Sequence, residues 1–551
     1  MIAISDCQDI LNKYCKFIIH MRQQYRSQPQ HLGIVFGAGA SKRLGFPDWD
    51  HLVEQIMCDD EMKNLGFSID ENKDAISNAQ RLFQVYKAKL TSECADEDKG
   101  HNRLEMKVRA NWQRIVHNAL YKNVNGDINL AVPKDHFLHT YINIVKKLPM
   151  IINYNFDDSI QRMLASIRTD DEKEITRGYS TVWNTNVYMY PKKSVIYHPN
   201  GFLPYNIQEH PSDQLVFLED SFADQLIESL HGRYNVLSNY FTHNTCLLIG
   251  LSLEDPTLKH MLRNNSLNFP GNCHYYIHYK AAGEDIKNET AIVDANFDVY
   301  NLITLFLTEK EINVLGQLIT MEDEEFNNFV EELGLYNSYK YIIVGSVAVG
   351  KSTAMSHFRS ISTQDEWLEP MPHEMAKDPS GIDDNRINEI DKWIAEQWGK
   401  KNNKLLKIMD GIHLIDRGPL DAFAFTRKGE WKSKAMLTKE GISPGKSGRK
   451  LCSACMLLLI GDPDTMASRA LVAHKDTNAD KLKKQQELLK YIYTNHGKGT
   501  KILDTRNKSK NQVAKEMARM IYLEDYEEAP LNDWLEDIAG GIIVEPEELF
   551  N

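Results

Sequence analysis

The chain has 551 residues, 42% hydrophobic and 26% charged, too long for one hydrophobic core and ordinary for a globular protein of roughly two to four domains. A formal net charge of −13 argues against a general nucleic-acid binder, though not against a local basic groove, and no apolar run approaches the roughly 18 residues of a membrane helix. Eight scattered cysteines with no sign of export point to reduced thiols in a cytoplasm.

In chain order, MIAISDCQDILNKYCKFIIHMRQQY lacks a signal peptide's basic start and cleavage site and predicts an amphipathic helix from Ser5 or Asp6. HLGIVFGAGAS (31–41) is a strand entering a Gly-rich turn, and a charged, mostly helical stretch follows over about 50–147. LPMIINYNFDD (148–158) is a buried strand ending in polar residues, and SVIYHPNGFLP (194–204) is a strand running into an Asn200-Gly201 turn. TCLLIGLSLEDPTLKHML (245–262) is a strand, a loop and a helix starting near Asp255-Pro256. Together these predict an α/β fold, a parallel sheet with a helical insertion. Residues 306–339 read as an acidic helical connection, after which YKYIIVGSVAVGKSTAMSHFRS opens a second α/β unit, with further strands at KLLKIMDGIHLIDR, SACMLLLIGDP and TKILDT. Cys452 and Cys455 have zinc-ligand spacing but no second ligand pair, and read as small residues entering a buried strand. The acidic end, EDYEEAPLNDWLEDIAGGIIVEPEELFN, reads as a solvated tail or a docking strand.

Gly345-Ser346-Val347-Ala348-Val349-Gly350-Lys351-Ser352 matches G-x-x-x-x-G-K-[ST] between a predicted strand and a predicted helix. In that context backbone N–H groups wrap a β-phosphate, Lys351 neutralises β/γ charge, and Ser352, followed by Thr353, can bind Mg2+. Asp416 and Arg417, after a strand, are the candidate magnesium- or substrate-facing residues, with Asp410 as an alternative acid. Arg469 and Lys475 are candidates for a lid over transferring phosphoryl groups, the alternative for Arg469 being a surface ion pair. Residues 339–523 resemble the nucleoside and nucleotide kinases, such as thymidylate kinase. The resemblance implies ATP or another (deoxy)nucleotide with Mg2+, either as reactants or as a sensed ligand.

In the first half, Gly37-Ala38-Gly39-Ala40-Ser41 is followed by Gly45, Pro47 and Trp49. Further on come Asn155-Phe156-Asp157, His198-Pro199-Asn200-Gly201, and Gly250-Leu251-Ser252 with Asp255. This ordered set resembles the sirtuin family, most closely the sirtuin-like domains of prokaryotic antiphage defence proteins, over about residues 25–310. The resemblance implies a Rossmann-like NAD-binding sheet, hydrolysis of NAD to nicotinamide and ADP-ribose, and a homo-oligomer. It implies Gly37 and Gly39 close to the pyrophosphate, Asn155 at the nicotinamide ribose or a water, Asp157 supporting that loop or contacting the cofactor as part of the catalytic set, and Ser252 at the adenosine ribose. Asn155 and Asp157 can instead simply cap the next helix. The paired C-x-x-C zinc module of the protein deacylases has no counterpart in this half, which favours a hydrolase acting on NAD itself. Family members often read H-x-H-G where this chain has His198-Pro199-Asn200-Gly201, so the second histidine is replaced by Asn200. In an extended strand residues two apart share a face, and Pro199 favours extended backbone before it; His198 would then act as base with Asn200 orienting the ribose.

The expected organisation is a sirtuin-like domain over 1–310, a helical connection over 311–338, a kinase-like domain over 339–523 and an acidic tail over 524–551. The expected function is an antiphage effector that depletes NAD, gated by a nucleotide at the 345–352 loop, with a phage-derived trigger or partner protein possible and no membrane association. The alternatives are a nucleotide kinase with a non-catalytic NAD- or ADP-ribose-binding domain, and a scaffold that binds both ligands and turns over neither.

Overall fold

Seven strands of the first half form one all-parallel sheet: β1 (Leu32–Phe36), β2 (Met150–Asn153), β3 (Gly178–Val182), β4 (Lys193–Tyr197), β5 (Thr245–Ile249), β6 (His274–Tyr279) and β7 (Leu302–Leu307). Their order is β3-β4-β2-β1-β5-β6-β7. Every residue of β1, β2 and β5 is buried, the continuous apolar run of a sheet covered by helices on both faces. The computed structural model describes residues 3–93, 102–124, 136–167, 178–183, 193–206, 208, 211–376, 382–445, 448–473, 475, 477–495 and 497–549.

Strand order decides where a ligand can sit. From β1 the chain moves out through β2 to the edge strand β3, steps back to β4 between them, then crosses to β5 on the other side of β1. β1 therefore pairs with β2 (Phe36 with Asn153) and with β5 (Phe36 with Ile249), and the connections leaving β1 and β5 part at their carboxyl ends. That reversal opens the crevice in which open α/β sheets bind ligands. The charged stretch between β1 and β2 is helical as predicted, with helices Trp49–Met57, Ala75–Glu93, Asn102–Tyr121 and Phe137–Val145.

A second parallel sheet, β12-β11-β8-β10-β9, comprises β8 (Tyr339–Val344), β9 (Ser362–Gln364), β10 (Ile412–Asp416), β11 (Cys455–Ile460) and β12 (Thr500–Asp504). The chain is thus a Rossmann-like parallel α/β sheet with a helical insertion, followed by a second parallel α/β domain. Cys452 and Cys455 are buried, Cys455 opening β11. Among the described residues no helix is long and apolar enough to cross a membrane.

Two boundaries differ from the sequence expectation, and the two readings of the acidic end are decided. Contacts group residues 1–7, 27–266 and 273–321 into one unit and 8–26, 267–272 and 322–551 into the other. Most of the first helix, Ile4–Arg26, therefore belongs with the second unit: Gln23 Oε1 accepts from the Ile412 N–H at 3.1 Å and Gln24 Nε2 donates to Ser360 O at 2.8 Å. The expected connection is also no linker: helix Glu309–Thr320 buries Ile312, Leu315, Leu318 and Ile319 in the first unit, and Asp323–Glu332 belongs to the second. The acidic end, read as a solvated tail or a docking strand, docks, chiefly as a helix. A single antiparallel bridge joins Ala529 to Ala454, and helix Leu531–Gly540 buries Leu531, Trp534, Leu535 and Ile538 in the second core. Those four apolar residues follow helical spacing on one face, while the surrounding acids dominate the composition.

Candidate functional site

Three loops meet at the carboxyl ends of β1, β2 and β5. Gly37 N–H donates to Ile249 O and Gly39 N–H to Gly250 O, both at 2.9 Å, which stitches the first loop to the third. A Cβ on Gly37 would lie 2.6 Å from Gly250 O, and one on Gly250 would lie 2.3 Å from the Ala40 nitrogen. Gly250 also has φ +72°, a left-handed conformation that other residues rarely adopt. The glycines are thus required first by the approach of the two loops to each other. Ala40 and Ser41 N–H groups are also spent inside the loop, on Gly37 O and Ala38 O, so the expected helix-start donors for a pyrophosphate are largely engaged.

The second loop carries Asn155, 7% exposed. Its Nδ2 donates to Gly37 O at 3.1 Å and to Ser41 Oγ at 3.2 Å. Its Oδ1 is buried and has no hydrogen-bond partner among the described residues. Asp157 sits beneath this loop: Oδ2 accepts from Ser41 Oγ at 3.2 Å, and Oδ1 accepts from Ser159 N–H at 2.9 Å, the start of helix Ser159–Ile167. Burial raises its pKa to about 6. Asp157 does not contribute to the cavity wall: both oxygens are used on Ser41 and Ser159, so of its expected roles the cap and loop brace holds and cofactor contact in a catalytic set does not.

His198 does not share a face with Asn200. β4 ends at Tyr197; Gly201, at φ +108°, closes a turn onto His198 O at 3.2 Å, so the two-residue strand period no longer applies. The His198 ring is fully buried, and its Nδ1–H donates to Asn155 O at 2.7 Å while its Nε2 accepts from Gln161 Nε2 at 2.7 Å. Both ring nitrogens are thus used, and burial lowers the pKa to about 4. Asn200 instead lines the cavity, donating from Nδ2 to Asp255 Oδ2 at 3.0 Å and accepting at Oδ1 from Gln225 Nε2 at 3.3 Å. Asp255 Oδ1 caps helix Pro256–Asn268 by accepting from Leu258 N–H at 2.8 Å.

These groups wall a cavity of about 730 Å³, within the range of small-molecule and cofactor sites. Gly37, Ala38, Gly39, Asn155, Asn200, Gly250, Ser252 and Asp255, all named from sequence, come together there; His198, Ser41 and Asp157 stand behind the wall. Ser252 is exposed, its Oγ donating to Glu254 Oε2 at 3.4 Å. Sequence reasoning passed over Lys42 and Arg43, the cations of this wall, which pair with Asp48 at 2.8 Å and Glu309 at 2.7 Å. It also passed over Tyr154, whose buried hydroxyl has no partner among the described residues. Trp49, flagged in the motif, reaches the wall and stacks on Phe156 at 6.2 Å.

In the second unit, Gly350 at φ +107° leads into helix Lys351–Met355 at the carboxyl end of β8. Lys351 Nζ donates to Gly345 O at 2.8 Å and Ser346 O at 3.2 Å, and burial lowers its pKa. Ser352 Oγ donates to Asp416 Oδ2 at 3.1 Å, and the buried Asp416 Oδ1 has no partner among the described residues. A hydroxyl beside a carboxylate with a spare oxygen is a donor set that fits Mg2+. Asp410 precedes β10 and so lies at the other end of that strand from the loop, which leaves Asp416 as the acid beside Ser352. Arg417 pairs with Glu366 at 2.7 Å between the rings of Trp367 and Phe425. Thr353, Arg469 and Lys475 are exposed. Lys401 was not legible as part of the site: buried, with its pKa lowered to about 8 by burial, its Nζ donates to Asp416 O at 2.7 Å and Asp365 O at 2.8 Å.

Residues 149–300 match the SIR2-like domain family. The matched segment runs from β2 almost to β7, includes Asn155, His198, Asn200 and Gly250–Asp255, and associates this unit with NAD-dependent chemistry. The glycine loop after β1 lies outside the match and joins that segment by its hydrogen bonds to Ile249 and Gly250. No curated protein matches the chain.

Proposed function

We propose that the first unit binds NAD across the crevice between β1 and β5 and hydrolyses its N-glycosidic bond, releasing nicotinamide and ADP-ribose. The observation that carries this reading is the cavity where Gly37–Gly39, Asn155, Asn200 and Asp255 converge, with the Asn155 amide fixed at Nδ2 and unpaired at Oδ1. An unsatisfied buried acceptor marks a place where a bound donor, such as a ribose hydroxyl or the attacking water, completes the hydrogen bonding. Lys42 and Arg43 are the side chains suited to a diphosphate, and Ser252 with Glu254 to the diol of the adenosine ribose. Cleavage passes through a cation-like sugar, so fixed amide and carboxylate oxygens around it favour the transition state by position and charge.

The second unit, in this reading, binds ATP or another (deoxy)nucleotide with Mg2+ at Gly345–Ser352 and Asp416, and that binding gates NAD hydrolysis. Mg2+ would neutralise phosphate charge between Ser352 and Asp416. The biological setting is antiphage defence in the cytoplasm by NAD depletion, with a homo-oligomer and a phage-derived trigger or partner protein as its components. The Ser352–Asp416 pairing beside Lys351 also favours a second reading, a nucleotide kinase whose first unit binds NAD or ADP-ribose without turnover.

The test is chromatography of nicotinamide and ADP-ribose after incubating the purified full-length protein with NAD, with and without a panel of NTPs and dNTPs plus Mg2+. Stoichiometric release of both products supports the hydrolase. Transfer of phosphate from ATP to a nucleoside or nucleotide acceptor, with NAD left intact throughout, supports the kinase instead.

A further inference from the structure

If the first unit hydrolyses NAD, the proton released by the attacking water needs an acceptor, and His198 does not provide one. Its Nε2 lone pair is occupied by Gln161 and its Nδ1–H by Asn155 O, behind the cavity wall. Among the described residues the wall holds six carboxylates, including Asp48 and Glu309, whose charges are balanced by Lys42 and Arg43. Asp50, Asp74 and Glu254 are exposed. Asp255 differs from all of these. It is partly buried, its Oδ2 is fixed by the neutral amide of Asn200, its Oδ1 by Leu258 N–H, and the carboxyl also accepts from Thr257 N–H. A carboxylate has about four lone-pair sites, so positions remain after those bonds are made. Tyr154, 3% exposed, lies on the same wall, and its buried hydroxyl has no partner among the described residues.

We propose that Asp255, aligned by Asn200, is the proton acceptor of this cavity. As the bond from ribose C1′ to the nicotinamide nitrogen breaks, its electron pair leaves on neutral nicotinamide. A water oxygen bonds to C1′ and passes one proton to the Asp255 carboxylate, which returns it to solvent. The inference rests on the NAD-hydrolase reading and supplies the base that the Asn200 position lacks. The ionisable groups that act on Asp255 are Lys259 on its own helix, Tyr154 after β2, and Tyr234 before helix Asn235–His243. Burial raises the Asp255 pKa and the Asn200 hydrogen bond opposes that rise. Activity therefore falls as pH drops through a value above the ordinary ~3.9 of an aspartate, because the protonated acid accepts nothing.

The test is the pH profile of nicotinamide release, with the nucleotide panel present, for the full chain and for Asp255→Asn, Asp255→Glu and Asn200→Ala. Asparagine preserves the helix cap, and NAD binding by calorimetry together with circular dichroism checks that Asp255→Asn is folded. We expect it to bind NAD, to lose ~100-fold or more in rate, and to lack the acid limb. Asp255→Glu should restore part of the rate with a limb, and Asn200→Ala should move the limb to higher pH. An active parent whose rate and acid limb survive unchanged in Asp255→Asn overturns this inference alone. A parent that releases no nicotinamide under any condition overturns the hydrolase reading and the inference with it.

Discussion

Asn155 is held from three directions. Asn153 Oδ1 accepts from its N–H, Gly37 O and Ser41 Oγ accept from its amide, and His198 Nδ1–H donates to its carbonyl. Everything except Oδ1 is committed to structure, which is how a side chain is preorganised for one contact. Asn155→Ala should therefore lower nicotinamide release at least ~100-fold with a smaller effect on NAD binding, measured by product chromatography and calorimetry on the same preparation. His198 serves this geometry from behind, and its titration reports on folding. Its pKa falls from 6.5 to about 4 on burial, so the unfolded state takes up a proton first; the neutral ring's contribution is complete above pH 6.5 and is lost as pH falls towards 4. The size is on the order of 3 kcal/mol over that window. Hydrogen exchange of the segment 193–203 should accelerate as pH drops from 6.5 to 4, after correction for intrinsic rates, and His198→Gln should lose that acceleration. Equal pH dependence in the two proteins would remove His198 as its source.

At the scale of elements, the crevice depends on two loops interlocked through glycines. Gly250→Ala places a methyl against the Ala40 nitrogen at a backbone angle that disfavours it, and Gly37→Ala meets Gly250 O and Leu251. Either change should destabilise the first unit by roughly 2 kcal/mol or more, read as a lower thermal midpoint, and should abolish NAD binding. Gly66→Ala, where a Cβ meets nothing within 4 Å, is the control for glycine loss in itself, although its φ of +63° carries its own smaller cost. These elements were legible in the sequence because their signals are local: an apolar run closed by Gly-Ala-Gly, by Asn-Phe-Asp, or by Gly-Leu-Ser. The helix starting at Pro256 was legible for the same reason, whereas the capping role of Asp255 came only with the structure. What escaped were features set by distant contacts. The Asn200-Gly201 turn was legible, but not its consequence, that His198 is carried to buried contacts with Asn155 O and Gln161 and away from Asn200; Lys42 and Arg43 look like any charged pair before a turn, and Lys401 sits in a helix whose composition is that of a solvated surface. The strand at KLLKIMDGIHLIDR was legible only in its second half, since Lys404 and Leu405 end the preceding helix.

At the scale of the molecule, the question is whether two α/β units in one chain work as one device. In the proposed reading, a nucleotide at Gly345–Ser352 changes the rate at which the other unit cleaves NAD. A ligand can do this only through a difference in its affinity for the active and inactive states, and the effect on NAD binding must be mirrored by an effect of NAD on nucleotide binding. Lys351 is the residue on which to test it, because its ammonium rests on Gly345 O and Ser346 O, contacts that a phosphate oxygen would replace. Lys351→Ala should weaken nucleotide binding by at least ~10-fold while leaving NAD binding to the first unit intact. If gating operates, the nucleotide-dependent change in nicotinamide release disappears in this variant, and so does NAD depletion in phage-infected cells. Asp416→Asn should reproduce the effect most fully where Mg2+ is required, since its carboxylate accepts from the Ser352 hydroxyl. Unaltered NAD depletion in infected cells carrying Lys351→Ala would separate the units functionally. The second would then be an enzyme or sensor in its own right, and phosphoryl transfer lost in the same variant would say which.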